Sequence, residues 1–173
     1  MLSGALAIVC KGCFIDAVYG LEPMSTRPHR YDLLSLMEQH DRLDALADQL
    51  LKLARTLDAP AAECAALLEE MSAIMVVHLK AEAELLYEPA HSANDNGFAE
   101  TIADFEQDFS LLDQHWRQFL EQWTLKRIAA DRINFRSQTS DLMTALKLRI
   151  ARENAVLYPL ALEKGRISLR PEA

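Results

Sequence analysis

Four stripes of apolar residues, each repeating at steps of three and four, run along this chain and predict four long helices. The first runs from about Arg30 to Leu57, with Leu33, Leu36, Met37, His40, Leu43, Ala47, Leu50, Ala54 and Leu57 on one face. Asp58-Ala-Pro60 interrupts it, Pro60 being suited to a first helical position. A second helix then carries Met71, Ile74, Met75, His78, Glu82 and Leu85 on its stripe as far as Tyr87, where Glu88-Pro89 stops it. The turn residues of His91-Ser-Ala-Asn-Asp-Asn-Gly97 follow. A third helix starts around Phe98, presents Phe105, Phe109, Leu112, His115, Phe119, Leu120 and Trp123, and fades near Arg127. The fourth, from about Asp131, presents Leu142, Leu146, Arg149, Glu153, Val156 and Leu160, and Gly165 ends it just past its cap. Pro159 has no N–H for the carbonyl of Ala155, which predicts a kink there.

The pattern also repeats. Leu36-Met-Glu-Gln-His40 returns as Leu111-Leu-Asp-Gln-His115, and His78-x-x-x-Glu82 with Leu86-Tyr87 returns as Arg149-x-x-x-Glu153 with Leu157-Tyr158, at a similar offset. Long helices joined by short breaks predict an all-α protein, an antiparallel up-down-up-down four-helix bundle built as a duplicated helical hairpin. The bundle is expected over 24–173, with residues 1–23 as an N-terminal extension outside the fold; Met24 is an alternative start.

Composition agrees with a single helical core. Half of the 173 residues are apolar and a quarter charged, with only 5 Gly and 6 Pro. With 26 acidic against 18 basic side chains the net charge is −8, and no basic run tracks a phosphate backbone, so nucleic acid is not an expected partner. No run of 18 apolar residues exists to span a bilayer. The apolar stretch Met1 to Tyr19 lacks a cationic start and is interrupted by Lys11 and Asp16, unlike a signal peptide. Cys10, Cys13 and Cys64 are too few and too uneven for a disulfide framework, and a cytoplasmic location is expected.

Chemistry concentrates where polar residues fall on apolar stripes: His40, His78, Glu82, His115, Arg149 and Glu153, with every helix contributing. A buried carboxylate needs a hydrogen-bonded cation or a metal, because desolvating it alone costs several kcal/mol, roughly. Imidazole nitrogens with carboxylates suit iron, zinc, manganese or copper, and glutamates from two helices can bridge a metal pair. The plainer reading of a lone histidine on such a stripe is a hydrogen-bonded core residue, and of Arg149 with Glu153 a helical salt bridge. His29 and His91 lie in turn-like segments and are expected to be solvated. Cys10-Lys-Gly-Cys13 is a weak redox or metal signal, and Glu88-x-x-His91 sits on a helix-breaking proline. Tyr87 and Tyr158 are expected to pack against the bundle end, though their matching places could bring each hydroxyl near a site.

His40, then His78-x-x-x-Glu82-x-x-x-Leu86-Tyr87-x-Pro89, then Gln114-His115, then Glu153-Asn-x-x-Leu157-Tyr158-Pro159-Leu-Ala resemble the hemerythrin-like, or HHE cation-binding, domain over about Tyr31 to Glu163. The resemblance implies a four-helix bundle around a non-haem di-iron centre, used for binding oxygen, sensing oxygen or nitric oxide, or repairing iron–sulfur clusters. It further implies that His40 and His78 bind one iron, His115 and a histidine at position 149 the other, and that Glu82 and Glu153 bridge. This chain departs from the pattern at position 149, where arginine has no lone pair to offer a metal. Its fixed charge could instead neutralise Glu82 or Glu153 in place of the second ion. Two functions follow as expectations: an iron-binding protein that binds or senses a small diatomic ligand rather than turning over a substrate, or a metal-free bundle acting as an interaction or regulatory module.

Overall fold

Asp32 sets where the first helix begins. Its carboxylate accepts from the backbone N–H of Ser35 (2.7 Å) while the Ser35 hydroxyl accepts from the Asp32 N–H (3.0 Å), so two otherwise orphaned donors are satisfied reciprocally. The computed structural model describes residues 32–56, 58–87 and 96–169. The N-terminal extension with Cys10 and Cys13, together with His29, Glu88, Pro89 and His91, lies outside the described residues.

From this cap α1 runs over Leu33–Arg55. Leu36, His40, Leu43, Ala47, Leu50 and Ala54 are buried as the periodicity predicts, but Met37 is 41% exposed and Leu46 is buried in its stead. Leu36 already holds the place one turn before His40, so Met37 is rotated about 100° towards solvent. The next helix, α2, spans Ala61–Glu82, with Pro60 as the extended residue before it rather than its first member. It continues without a break through a wider π-helical turn, Ala83–Tyr87.

In the second half, α3 spans Asn96–Gln122 and stops earlier than expected. A separate short helix, α4 (Leu125–Ala130), follows, capped by the Thr124 hydroxyl, and α5 (Arg132–Arg152) is capped by Asp131. A second π-helical turn, Glu153–Leu157, leads into α6, Tyr158–Glu163. Pro159 thus does not end or isolate the segment. Its missing N–H falls just past the widened turn, where the helix has already changed its hydrogen-bond step. Gly165 closes α6 with φ of 63°, its N–H bonding Leu162 O (3.0 Å) and that of Arg166 bonding Ala161 O (2.8 Å), a left-handed helix end that favours glycine.

All regular structure among the described residues is helical. α1 packs against both α2 and α5, α3 lies along α5, and α4 lies against α2. The apolar core is divided in two. One part gathers Leu43–Ala54 of α1 with Cys64–Leu79, Leu112–Trp123, Ile128 and Phe135–Ile150, and includes the ring cluster of Phe119, Trp123 and Phe135 at centroid separations of 5.3 to 6.2 Å. The other gathers Leu33, Leu36, Leu86, Phe98, Phe105, Leu157 and Tyr158, and is tied shut by the Leu33 N–H bonding Ser168 O (3.1 Å). The residues between the two parts are His40, His78, Glu82 and Glu153, all buried.

Phe135 is fully buried in the larger part. Phe135→Ala is expected to destabilise the protein by about 3–5 kcal/mol while leaving helix content unchanged, because the rings around it hold the cavity open. Urea unfolding followed by circular dichroism checks this.

Candidate metal centre

His40 from α1 and His78 from α2 face each other with their Nε2 atoms 3.1 Å apart. On the far side of each ring an amide oxygen from another helix fixes the orientation. His40 Nδ1 bonds Asn154 Oδ1 (2.9 Å), and His78 Nδ1 bonds Gln39 Oε1 (3.0 Å). A carbonyl oxygen only accepts, so each ring carries its proton on Nδ1 and both Nε2 lone pairs point at the same small volume. Glu153 Oε2 lies 3.0 Å from His40 Nε2, and Glu82 Oε1 lies 3.8 Å from His78 Nε2. Nitrogen lone pairs and carboxylate oxygens converging in this way repel one another; a proton or a cation between them removes the repulsion.

Both carboxylates also face the other way. Glu153 Oε1 is 2.5 Å from Arg149 Nη2, and Glu82 Oε2 is 3.8 Å from the same nitrogen. The contact to Glu153 is an ion pair without hydrogen-bond alignment, and Oε1 has no aligned donor despite its burial. Arg149 is itself held in place. Nη1 donates to Phe105 O (2.9 Å), Nη2 donates to the Tyr87 hydroxyl (3.1 Å), and the guanidinium carbon sits 5.1 Å from the Phe109 ring centroid. Each glutamate therefore spans an imidazole on one side and a guanidinium on the other.

Two tyrosines complete the set. The Tyr158 hydroxyl donates to Glu82 Oε1 (3.0 Å) and lies 3.3 Å from His40 Nε2, and the Tyr87 hydroxyl donates to Glu82 Oε2 (3.3 Å). Tyr87 and Tyr158 each follow a glutamate by five residues, which in an α-helix would turn them about 140° away. The π-helical turns after Glu82 and Glu153 bring position i+5 back to the glutamate's side. Of the two placements open for these hydroxyls, the structure has them at the site.

Burial and charge set the protonation. Burial raises Glu82, the Glu153 charge raises it further, and Arg149, His40 and Tyr158 offset this only in part, so its pKa rises to about 7. Burial acts on Glu153 in the same direction, but its bond to His40 and the Arg149 charge prevail and hold it below the ordinary range. His78 is pushed down to about 3 by burial and by the His40 charge. Burial would lower His40 too, yet its bond and charge interaction with Glu153 outweigh that and raise it. Without a metal, His40 is the ring that holds the extra proton.

His115, expected on the inward stripe of α3, is exposed and does not join these residues. Leu112, Asp113 and Trp116 take the inward positions around it, and position 115 faces out. At the depth of the polar layer α3 offers Phe109, a ring against Arg149, where the other helices offer polar groups. Gln39 and Asn154 were not singled out by the stripe argument. The only signal for them is adjacency, each lying next to His40 or Glu153 in the chain while serving a ring on another helix.

The family model described as Hemerythrin HHE cation binding domain matches residues 33–161. The chain belongs to that family. No curated protein and no solved structure matches it. In this hemerythrin-family chain His40, His78, Glu82 and Glu153 bring ligand atoms within 4.8 Å of one another, all buried. Two imidazole nitrogens and two carboxylates fit a divalent transition metal, and the facing Nε2 pair with its carboxylate oxygens is the feature such an ion satisfies.

Gln39→Leu is expected to release His78 to its other tautomer and, by removing the outer hydrogen bond, to weaken metal binding about 10–100-fold. Nitrogen-15 NMR of the histidine rings reads the tautomer in metal-free protein, and competition with a chelator reads the affinity.

Proposed function

We propose that this protein is a hemerythrin-type, non-haem iron-binding protein that holds one ion at His40, His78, Glu82 and Glu153, with Arg149 as the fixed cation in the second ion's place. We place these residues in the middle of an antiparallel up-down-up-down four-helix bundle made of two like hairpins. The observation that carries the reading is the pair of Nε2 atoms 3.1 Å apart, each ring locked from behind by an amide oxygen. Each lock turns Nε2 towards the two carboxylates, into the place a proton or a metal ion would fill.

When bound, iron supplies reversible coordination of a small diatomic ligand and one-electron chemistry. The chain supplies the rest. His40, His78, Glu82 and Glu153 are at most 4% exposed, which excludes bulk water from the centre. Tyr158 places a hydroxyl proton beside Glu82 and His40, and its pKa is driven up by burial and the neighbouring carboxylates, so the group stays a donor. Arg149 keeps a positive charge against both glutamates whatever else is bound. These roles suit binding or sensing of oxygen or nitric oxide, or a part in iron and redox stress, better than turnover, and we place the protein in the cytoplasm with neither nucleic acid nor membrane as partner.

A second reading rests on the same arginine. With His40 protonated and paired to Glu153, and Arg149 between the two glutamates, the charges nearly balance with no ion at all, as a metal-free interaction or regulatory module requires.

Elemental analysis of protein from iron-supplemented cells separates the two: close to one iron per chain is expected, none supports the module, and two tightly held irons overturn the role given to Arg149. Arg149→His is expected to raise occupancy towards two, since it removes the fixed charge and restores a second His-x-x-x-Glu unit. Arg149→Ala is expected to cost about 3–5 kcal/mol in chelator, because Glu153 is left buried beside fewer cations, and excess iron is expected to restore part of that loss.

Metal must displace the protons held by Glu82, with a pKa of about 7, and by His40, whose pKa is raised. Affinity is therefore expected to fall as pH drops below about 7, with proton release on binding; titration in weakly buffered solution measures both. In metal-free protein the sign is opposite for stability. Glu82 binds its proton more tightly folded than unfolded, so stability falls as pH rises from the ordinary glutamate range to about 7. Glu82→Gln should flatten that slope in urea melts.

A further inference from the structure

The described arginines divide into three groups: those paired with a carboxylate, Arg166 with its guanidinium carbon 5.9 Å from the Phe98 ring centroid, and three with neither partner. Arg42 pairs with Glu70, Arg117 with Asp113, Arg127 with Asp131, Arg149 with Glu82 and Glu153, and Arg152 with Asp108. Arg55, Arg132 and Arg136 have no carboxylate partner among the described residues, and all three line one surface groove of about 430 Å³ between the end of α1 and the start of α5. In a chain with an excess of eight acidic side chains, unpaired guanidinium groups gathered on one groove are not a shortage of carboxylates. Three like charges side by side repel one another, and an anion bound among them relieves that repulsion.

The groove has a fixed wall and a free one. Arg132 is anchored, one Nη donating to Ala59 O and the other lying 3.7 Å from the buried Cys64 sulfur. Arg55 and Arg136 are exposed and have no ion pair, hydrogen bond or ring contact among the described residues, so their forked N–H donors are available. Arg132, Arg136 and Ser140 follow at steps of four along α5, and Ser137 stands beside Arg136, so two hydroxyls line the groove alongside the guanidinium groups. Ile133, 80% exposed, and Leu51 give it an apolar side. Arg55 lies fifteen residues beyond His40 on α1, about 22 Å along the axis, so the groove is separate from the metal centre.

We propose that this groove binds a phosphate-bearing small molecule, its oxygens held by Arg55 and Arg136 with Ser137 and Ser140 as further donors, and its apolar part laid over Ile133. Phosphate fits better than a single carboxylate because it offers three oxygens to several planar donors at once. Asp141 also lines the groove, and its carboxylate disfavours anions placed against it.

The test uses the full chain and pyrophosphate as probe, at constant ionic strength set with sodium chloride. Arginine Nε–H signals in nitrogen-15 NMR report which side chains respond, and calorimetry gives the affinity. Signals of Arg55, Arg132 and Arg136 are expected to move together along one binding curve. Arg55→Gln with Arg136→Gln should weaken binding at least about tenfold, whereas Arg42→Gln with Arg127→Gln, exposed but paired, should leave it unchanged. Equal binding by both double variants, shifts spread over arginines outside the groove, or no response to pyrophosphate overturns the proposal. Citrate binding more tightly than pyrophosphate overturns the phosphate class. Metal content plays no part in any of these readouts, so a failed iron reading and a failed groove are told apart.

Discussion

Two buried glutamates that each answer to two cationic neighbours set the arrangement on which the rest of the structure depends. Glu82 and Glu153 are fully removed from water, and neither would remain ionised there alone. Arg149 on one side and the imidazole pair on the other make their burial tolerable, and this in turn dictates what surrounds them. Phe105 must give up a carbonyl to Arg149, Phe109 must offer a ring face, and both tyrosine hydroxyls must reach Glu82. These demands fall on α3, on the π-helical turn after α2 and on α6, so the charge arrangement and the helix packing are solved together.

Much of this was legible in the sequence, and what was not has definite physical causes. Periodicity located four long helices because their buried faces are built from Leu, Met and aromatic side chains at regular steps. The same rule brought His40, His78, Glu82 and Glu153 to notice, since a polar residue on an apolar stripe stands out. It failed at His115 because two adjacent positions, 115 and 116, compete for the same inward place, and a rule that counts polar exceptions favours the histidine while packing favours the bulkier indole of Trp116. α4 escaped because six residues are too few to show a period, and its start rests on the single hydroxyl of Thr124. The widened turns were invisible for another reason. A period of 3.6 assumed throughout gives Tyr87 and Tyr158 the wrong bearing, and only a change of hydrogen-bond step inside the helix corrects it.

The two like segments, His78–Tyr87 and Arg149–Tyr158, match unevenly. Both copies keep the glutamate, the widened turn and the tyrosine five residues on, which are the parts that shape the backbone around the site. They differ at His78 and Arg149, where the change is one of charge. With an imidazole at one of these places and a guanidinium at the other, the site has a titratable group on one side and a permanent cation on the other.

The polar layer also has a mechanical meaning. It parts the apolar interior into a larger block around Trp116 and Phe135 and a smaller one around Phe98 and Tyr158, the latter fastened by a hydrogen bond between Leu33 and Ser168 near the two ends of the described chain. Dispersion contacts do not cross such a seam well, and the smaller block has fewer buried residues, so it is the portion expected to open first. A proton or ion held in the seam would join side chains from α1, α2 and the second π-helical turn at once. Its presence is expected to decide whether the two blocks unfold as a single cooperative unit or one after the other.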